Sequence, residues 1–167
     1  MREAGDVMEA SSRVRTWPSP ATMVRWCVLP AVAGPVLGFV WWLAAPGGRL
    51  YGDGSDYGQW IPRDFVFTGL AALAAVVVVV FAVRAHVRAG FAGRYLAALV
   101  GSGAGSVLMW LTGVGLGMVF GSSRSDPSVV GSAFGLATFS ALALWPGIVA
   151  VVILGLVTVL WSPPTRP

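Results

Sequence analysis

The side chains that could do chemistry in this sequence are few, and they lie between long apolar runs rather than inside them. Asp53, Asp56 and Asp64 fall in one short polar stretch, and His86, the single histidine, falls in a later one. Grouped carboxylates bind cations or polar ligands, whereas a histidine transfers protons or binds a metal. One histidine cannot complete a zinc site, so the sequence predicts no metal site. It also predicts no cofactor and no catalytic residue. It leaves one candidate site, on the outer face of a membrane, at Asp53, Asp56 and Asp64.

Asp64 has a second interpretation, because it directly precedes a long apolar run. An aspartate at a helix start accepts hydrogen bonds from free backbone amides, so Asp64 is expected to cap the helix that follows it. An ion pair with Arg63 or Arg49 and a ligand contact are the alternatives. The loop that starts at Asp53 matches a calcium-binding loop only loosely, since the terminal glutamate is absent.

The apolar runs themselves offer little chemistry. No Asp, Glu, Lys, Arg or His lies inside the predicted hydrocarbon segments, although proton relays and ion pathways normally use such residues. Hydroxyls in these segments, such as those of Ser102 and Ser106, have no membrane histidine to activate them. Trp110 and Trp145 are expected near the middle of their spans, where they pack in the core or line a cavity. These features argue against an enzyme and against a proton-coupled pump.

The composition explains why apolar runs dominate. Of 167 residues, 56% are hydrophobic and 11% are charged, whereas about a quarter of a soluble domain is charged. A soluble fold of this size could not bury so much apolar surface. The formal net charge is +4, but the arginines flank apolar runs, which indicates contact with lipid headgroups rather than with nucleic acid.

Four charge-free runs are each long enough to cross a membrane, which takes about 20 apolar residues. The sequence therefore predicts an all-α fold, a four-transmembrane-helix bundle over residues 24–161. It is expected to be flanked by two cytoplasmic tails, a disordered one at 1–23 and a short one at 162–167. The last run is expected to form one helix kinked at Pro146, with a re-entrant hairpin as the alternative. The first is expected to be a retained anchor rather than a signal peptide, and Met23 is an alternative start. The spans are placed at 26–45, 65–83, 95–120 and 134–160.

The arginines also predict the orientation of the bundle. They concentrate in the N-terminal tail and in residues 84–94, whereas the connections at 46–64 and 121–133 balance arginine with aspartate. Basic residues stay on the cytoplasmic side, so both termini are expected inside the cell and the protein in the plasma membrane. Arg84, Arg88 and Arg94 either only set this topology or also bind anionic lipid.

Glycines recur at four-residue spacing and predict where helices pack. Small residues four apart form a groove that lets a second helix approach closely. Such a groove is filled either by another helix of the same chain or by a second copy. The valine run at 76–80 has no such groove and is expected to face lipid. The candidate packing residues are Gly34, Gly38, Gly101, Gly105, Gly113, Gly117 and Gly121.

Three short motifs accompany the four-span plan. The first span ends in Trp41-Trp42-Leu43-Ala44-Ala45-Pro46, the outer loop ends in Asp64-Phe65, and the last span contains Leu144-Trp145-Pro146. With these motifs the chain, over about residues 24–161, resembles a family of small membrane proteins from high-GC Gram-positive bacteria that is catalogued as a domain of unknown function. The resemblance implies a location and an architecture, and it brings no activity and no catalytic residue.

Two functions fit these observations. The first is a non-enzymatic accessory or scaffold subunit, or a homo-oligomer, that acts through helix contacts with itself or with a membrane-protein partner. The second is a small permease or channel subunit with a pathway between bent helices. The second would need a wet cavity near Trp110, Trp145 and the hydroxyls of the spans, whereas a dry, tightly packed bundle would argue against it.

Overall fold

The computed structural model describes residues 18–50, 60–85, 91–120 and 134–160. These residues form four α-helices, which we name α1 (Pro20–Ala44), α2 (Trp60–Ala85), α3 (Phe91–Phe120) and α4 (Leu144–Leu160), and a 3-10 helix, Phe139–Ala143, that leads directly into α4. No strand occurs within these ranges. Four helical segments are long and apolar enough to cross a membrane. The predicted all-α bundle of a multi-pass membrane protein is therefore confirmed, while the side of the membrane on which each end lies stays a prediction.

The first three helices begin earlier than the sequence predicts. Apolar runs give the length of the hydrocarbon crossing, whereas a helix extends until its end is capped or its chain turns. At α1 the cap is Ser19, whose hydroxyl accepts a hydrogen bond from the Thr22 amide at 3.4 Å. Pro20 follows as the first helical residue, a position where its lack of an N–H group removes no internal hydrogen bond.

The fourth span corrects two predictions. Residues 134–138 are not helical, and the regular α-helix begins only at Leu144. Pro146 consequently lies in the first turn of α4, where proline is tolerated, rather than at a kink inside a longer helix. The 17 residues of α4 reach about 26 Å and the 5 residues of the 3-10 helix add about 10 Å. Together they can cross a hydrocarbon core of about 30 Å, and residues 139–160 contain no turn for a re-entrant hairpin.

The helices pack mainly in two pairs, α1 with α3 and α2 with α4. Contacts between α1 and α3 advance in the same direction along both helices, from Cys27 against Gly101 to Trp41 against Gly113, so these helices run parallel. Successive spans alternate in direction, which gives the bundle two distinct ends. We call the end where α2 begins the Asp64 end, and the end where α2 finishes and α3 begins the arginine end.

The face of α2 that packs inward is rich in alanine, which the sequence analysis did not single out. Ala71, Ala75 and Ala82 are buried at helical spacing, and their small side chains let α2 approach the rest of the bundle. In the valine run, Val76 and Val77 are exposed as expected for lipid contact, but Val78 is buried in the core. A run of one residue type cannot all face lipid, because each residue advances about 100° around the helix. The largest fully buried side chains of the core are Trp41, Trp145, Phe67, Met109 and Val149.

Candidate functional site

The glycines of α1 and α3 lie at the closest contact in the bundle. A Cβ atom on Gly34 would overlap the carbonyl oxygen of Gly105 and lie 2.9 Å from its Cα atom. One turn further on, a Cβ atom on Gly38 would overlap the Met109 carbonyl oxygen, and at the other end one on Gly101 would overlap the Cys27 carbonyl oxygen. Backbone therefore meets backbone along this interface, which only glycine permits.

The same groove of α3 receives larger side chains toward the Asp64 end. A Cβ atom on Gly113 would overlap the indole ring of Trp41, and one on Gly117 would lie 2.5 Å from the Cβ atom of Phe134. Gly121 lies outside the described residues. From Gly101 to Gly113 the groove of α3 is thus filled by α1 of the same chain, which leaves it closed to a second copy.

Asp64 makes a polar contact across the bundle rather than within its own helix. One carboxylate oxygen accepts a hydrogen bond from the Ala137 amide at 3.2 Å, and the other accepts one from the Thr138 amide at 2.9 Å. These amides stand at the entrance of the 3-10 helix that precedes α4. The expectation that Asp64 caps the start of α2 is wrong, because α2 begins at Trp60 and Asp64 lies in its second turn. The carboxylate instead satisfies free amides of another segment, 73 and 74 residues away.

Arg63, next to Asp64, is the charged side chain that the structure buries most deeply, with 2% of its surface exposed. Its Nε atom donates a hydrogen bond to the Pro46 carbonyl oxygen at 3.0 Å, and its guanidinium lies 4.9 Å from the ring centre of Phe134. The Arg63 carbonyl oxygen accepts a hydrogen bond of 3.0 Å from the indole nitrogen of Trp41. A cation so placed gains from both the carbonyl dipole and the face of the aromatic ring.

The chain around Pro46 is shaped by two glycines that end α1. Gly47 adopts a positive φ of 76°, which favours glycine. A Cβ atom on Gly48 would overlap the Trp42 carbonyl oxygen, because the Gly48 amide turns back to donate to Ala45 at 2.9 Å. This turn directs the Pro46 carbonyl toward Arg63. The contacts of Arg63 and Asp64 therefore join the end of α1, the start of α2 and the segment before α4 into one cluster.

The described contacts of this cluster join separate segments of the chain. Both oxygens of Asp64 already accept backbone amides, and Arg63 donates to a carbonyl of the same chain. Asp53 and Asp56, the other members of the predicted outer-face site, lie outside the described residues. Within the four described ranges, no three His, Cys, Asp or Glu side chains come together as a metal site would require.

Two buried serines in the middle of the bundle donate hydrogen bonds within the chain. Ser102 donates to the Ala98 carbonyl oxygen and Ser106 to the Leu142 carbonyl oxygen, each at 2.8 Å. Trp110 packs edge-on against Phe139. Trp145 is 1% exposed with its ring against Gly105, and its indole nitrogen finds no hydrogen-bond acceptor in the described part of the chain.

α4 presents the least covered face of the bundle. Only 11% of the most apolar 18-residue stretch of Phe139–Val159, the segment made of the 3-10 helix and α4, is buried, against 22–33% for the other three spans. A groove of about 450 Å³ runs along this face, and a Cβ atom on Gly147 would meet no atom within 4 Å. Apart from Ser140 the groove is lined by apolar residues: Ala143, Leu144, Gly147, Ile148, Val151 and Val152.

Comparison of the chain with protein-family models, with curated proteins and with solved structures finds no match. The resemblance to a family of small four-span membrane proteins therefore stays a prediction. What the protein does has to be argued from the contacts of its own residues.

Proposed function

We propose that this protein is a non-enzymatic accessory or scaffold subunit of the plasma membrane, and that the open face of α4 holds a transmembrane helix of another polypeptide. The observation that carries the proposal is the contrast between two glycine-bearing surfaces. The groove of α3 is filled by α1, whereas the groove along α4 at Gly147 is open, on the least buried of the four spans. In lipid, helices associate through close packing at small residues rather than through the hydrophobic effect, so this face is suited to a helix.

The proposal of a non-enzymatic role rests on the positions of the reactive side chains. The predicted hydrocarbon segments carry no Asp, Glu, Lys, Arg or His, and the carboxylate of Asp64 is engaged by two backbone amides. The plasma membrane follows from the resemblance to a Gram-positive family. The helix on α4 comes either from a second copy of this chain or from a different membrane protein.

The test is affinity purification of the tagged protein in mild detergent, with the mass of the complex and the identity of its components determined. Gly147→Leu fills the groove of α4 and should abolish the association. Gly69→Leu is the matched control, because Gly69 lies on the exposed side of α2 and also has nothing within 4 Å. Both variants should keep the thermal stability of the wild type.

The outcomes separate the alternatives. A foreign protein that is lost only in Gly147→Leu identifies an accessory subunit, and a homo-oligomer that is lost only in Gly147→Leu identifies self-association. A wild-type protein that purifies alone as a monomer, or a Gly147→Leu complex as stable as the wild-type one, contradicts the proposal. In that case the permease alternative would be tested by reconstitution with candidate solutes.

A further inference from the structure

Three arginines on three helices share the arginine end of the bundle. Arg25 lies near the start of α1, Arg84 in the last turn of α2 and Arg94 in the first turn of α3. The packing of Cys27 against Gly101 keeps α1 beside α3, so all three arginines stand at one membrane interface.

A hydrogen bond joins α2 and α3 at this end: the Tyr95 hydroxyl donates to the Ala82 carbonyl oxygen at 3.4 Å. Arg94 directly precedes Tyr95, and Arg84 lies two residues after Ala82. In the described part of the chain the arginine end carries no acidic side chain. The acid that is described, Asp64, lies 20 residues before Arg84 on α2, which is about 30 Å along the helix.

Arg94 differs from the other two arginines in how its side chain is placed. Arg25 and Arg84 are exposed, whereas the Nε and Nη1 atoms of Arg94 are buried and find no hydrogen-bond partner within the described ranges. Burying cationic N–H donors without an acceptor is costly. The first-turn amides of α3 surround the same position and add positive potential, because the first four N–H groups of a helix have no intrahelical partner.

We propose that the arginine end binds the phosphate group of an anionic phospholipid, with Arg94 as the main ligand and Arg84 as a supporting cation. The N–H groups of an arginine guanidinium form a fork that matches two phosphate oxygens. Because Nε and Nη1 of Arg94 are covered in this structure, its partly exposed side chain has to turn outward to bind a phosphate, and the contact then satisfies donors that are otherwise unpaired within the described ranges. The ends of membrane-spanning helices lie at headgroup depth, where a lipid brings its phosphate and its acyl chains alongside the bundle. The positive-inside pattern places this end at the cytoplasmic leaflet, where anionic lipids attract basic residues.

The test is native mass spectrometry of the purified full chain in detergent, titrated with phosphatidylglycerol, with phosphatidylcholine and with inorganic phosphate. The wild type should retain phosphatidylglycerol at least about tenfold better than phosphatidylcholine. Arg94→Gln should lose that preference by about tenfold, as expected for one charge-assisted bidentate contact. Arg49→Gln is the matched control, because it removes one exposed arginine at the opposite end of the bundle and should leave retention unchanged.

Arg94→Lys separates the fork from the charge, and it should recover only part of the retention. Equal retention of both lipids by the wild type, or undiminished retention by Arg94→Gln, would overturn the proposal. Displacement of phosphatidylglycerol by inorganic phosphate at equal concentration would overturn the assignment to a lipid. If Arg94→Gln does not fold, the thermal stability of the wild type is measured in the presence of each lipid, because a lipid that binds the native state raises that stability. Phosphatidylglycerol must then raise it more than phosphatidylcholine does.

Discussion

Replacing Gly105 with alanine adds one methyl group where three helices meet. The new Cβ atom would lie 2.5 Å from the Pro30 carbonyl oxygen on α1 and 2.9 Å from the Cη2 atom of Trp145 on α4. Ordinary contacts of this kind are about 3.5–4.0 Å, so α1 and the indole ring must each retreat by about 1 Å. Neither can do so freely, because Pro30 and Trp145 are buried.

The expected cost follows from that displacement. A gap of about 0.5–1 Å removes a quarter to a half of the attractive energy of each dispersion contact along the interface. Overpacking of this size typically costs about 1–3 kcal/mol. Gly105→Ala should lower the free energy of unfolding by that amount. The better helix propensity of alanine offsets at most about 1 kcal/mol of it.

Gly103→Ala is the matched control on the same helix. A Cβ atom there would meet nothing within 4 Å, so the variant should be neutral or should stabilise the protein by up to about 1 kcal/mol. Both variants are compared with the wild type by thermal unfolding and by titration with a denaturing detergent, with helix content followed by circular dichroism. Equal stability of the two variants would refute the reasoning that α3 packs closely on α1 at Gly105.

Other predictions concern the Asp64 end and the core. Asp64→Ala removes the acceptor of two backbone amides, so it should cost about 0.5–2 kcal/mol and speed hydrogen exchange at Ala137 and Thr138; unchanged exchange would contradict the role of Asp64. Trp41→Phe removes the indole donor to a buried carbonyl, whereas Trp145→Phe removes a donor that has no acceptor in the described part of the chain. In denaturation experiments the first should therefore destabilise the protein by about 1 kcal/mol more than the second, and equal losses would argue against the Trp41 hydrogen bond.

The span count could be predicted from the sequence because hydrophobic length is local information. An apolar run of about 20 residues crosses a bilayer whatever lies beside it, and the four runs correspond to four helices. The ends were less predictable, since α2 extends back to Trp60 through Arg63 and Asp64. Those polar residues are accommodated in a helix by partners that the local sequence does not reveal.

The partners of the candidate residues depend on tertiary structure. The four-residue glycine repeat predicts a groove but cannot say whether α1 or a second copy fills it. The burial of Arg63 depends on the Pro46 carbonyl, which a turn at the end of α1 places nearby. The contact of Asp64 depends on amides more than 70 residues away. Spacing along one helix carries no information about such distant partners.

The central claim, a four-span bundle whose Asp64 end and arginine end face opposite sides of the membrane, is tested most directly by cysteine labelling. In a Cys27→Ser background, single cysteines at Leu50 and at Arg84 report the two ends through exposed positions. In intact cells an impermeant maleimide should label the cysteine at position 50, and it should label that at position 84 only after the membrane is opened. Labelling of both positions from the outside, or of position 84 alone, would contradict the account.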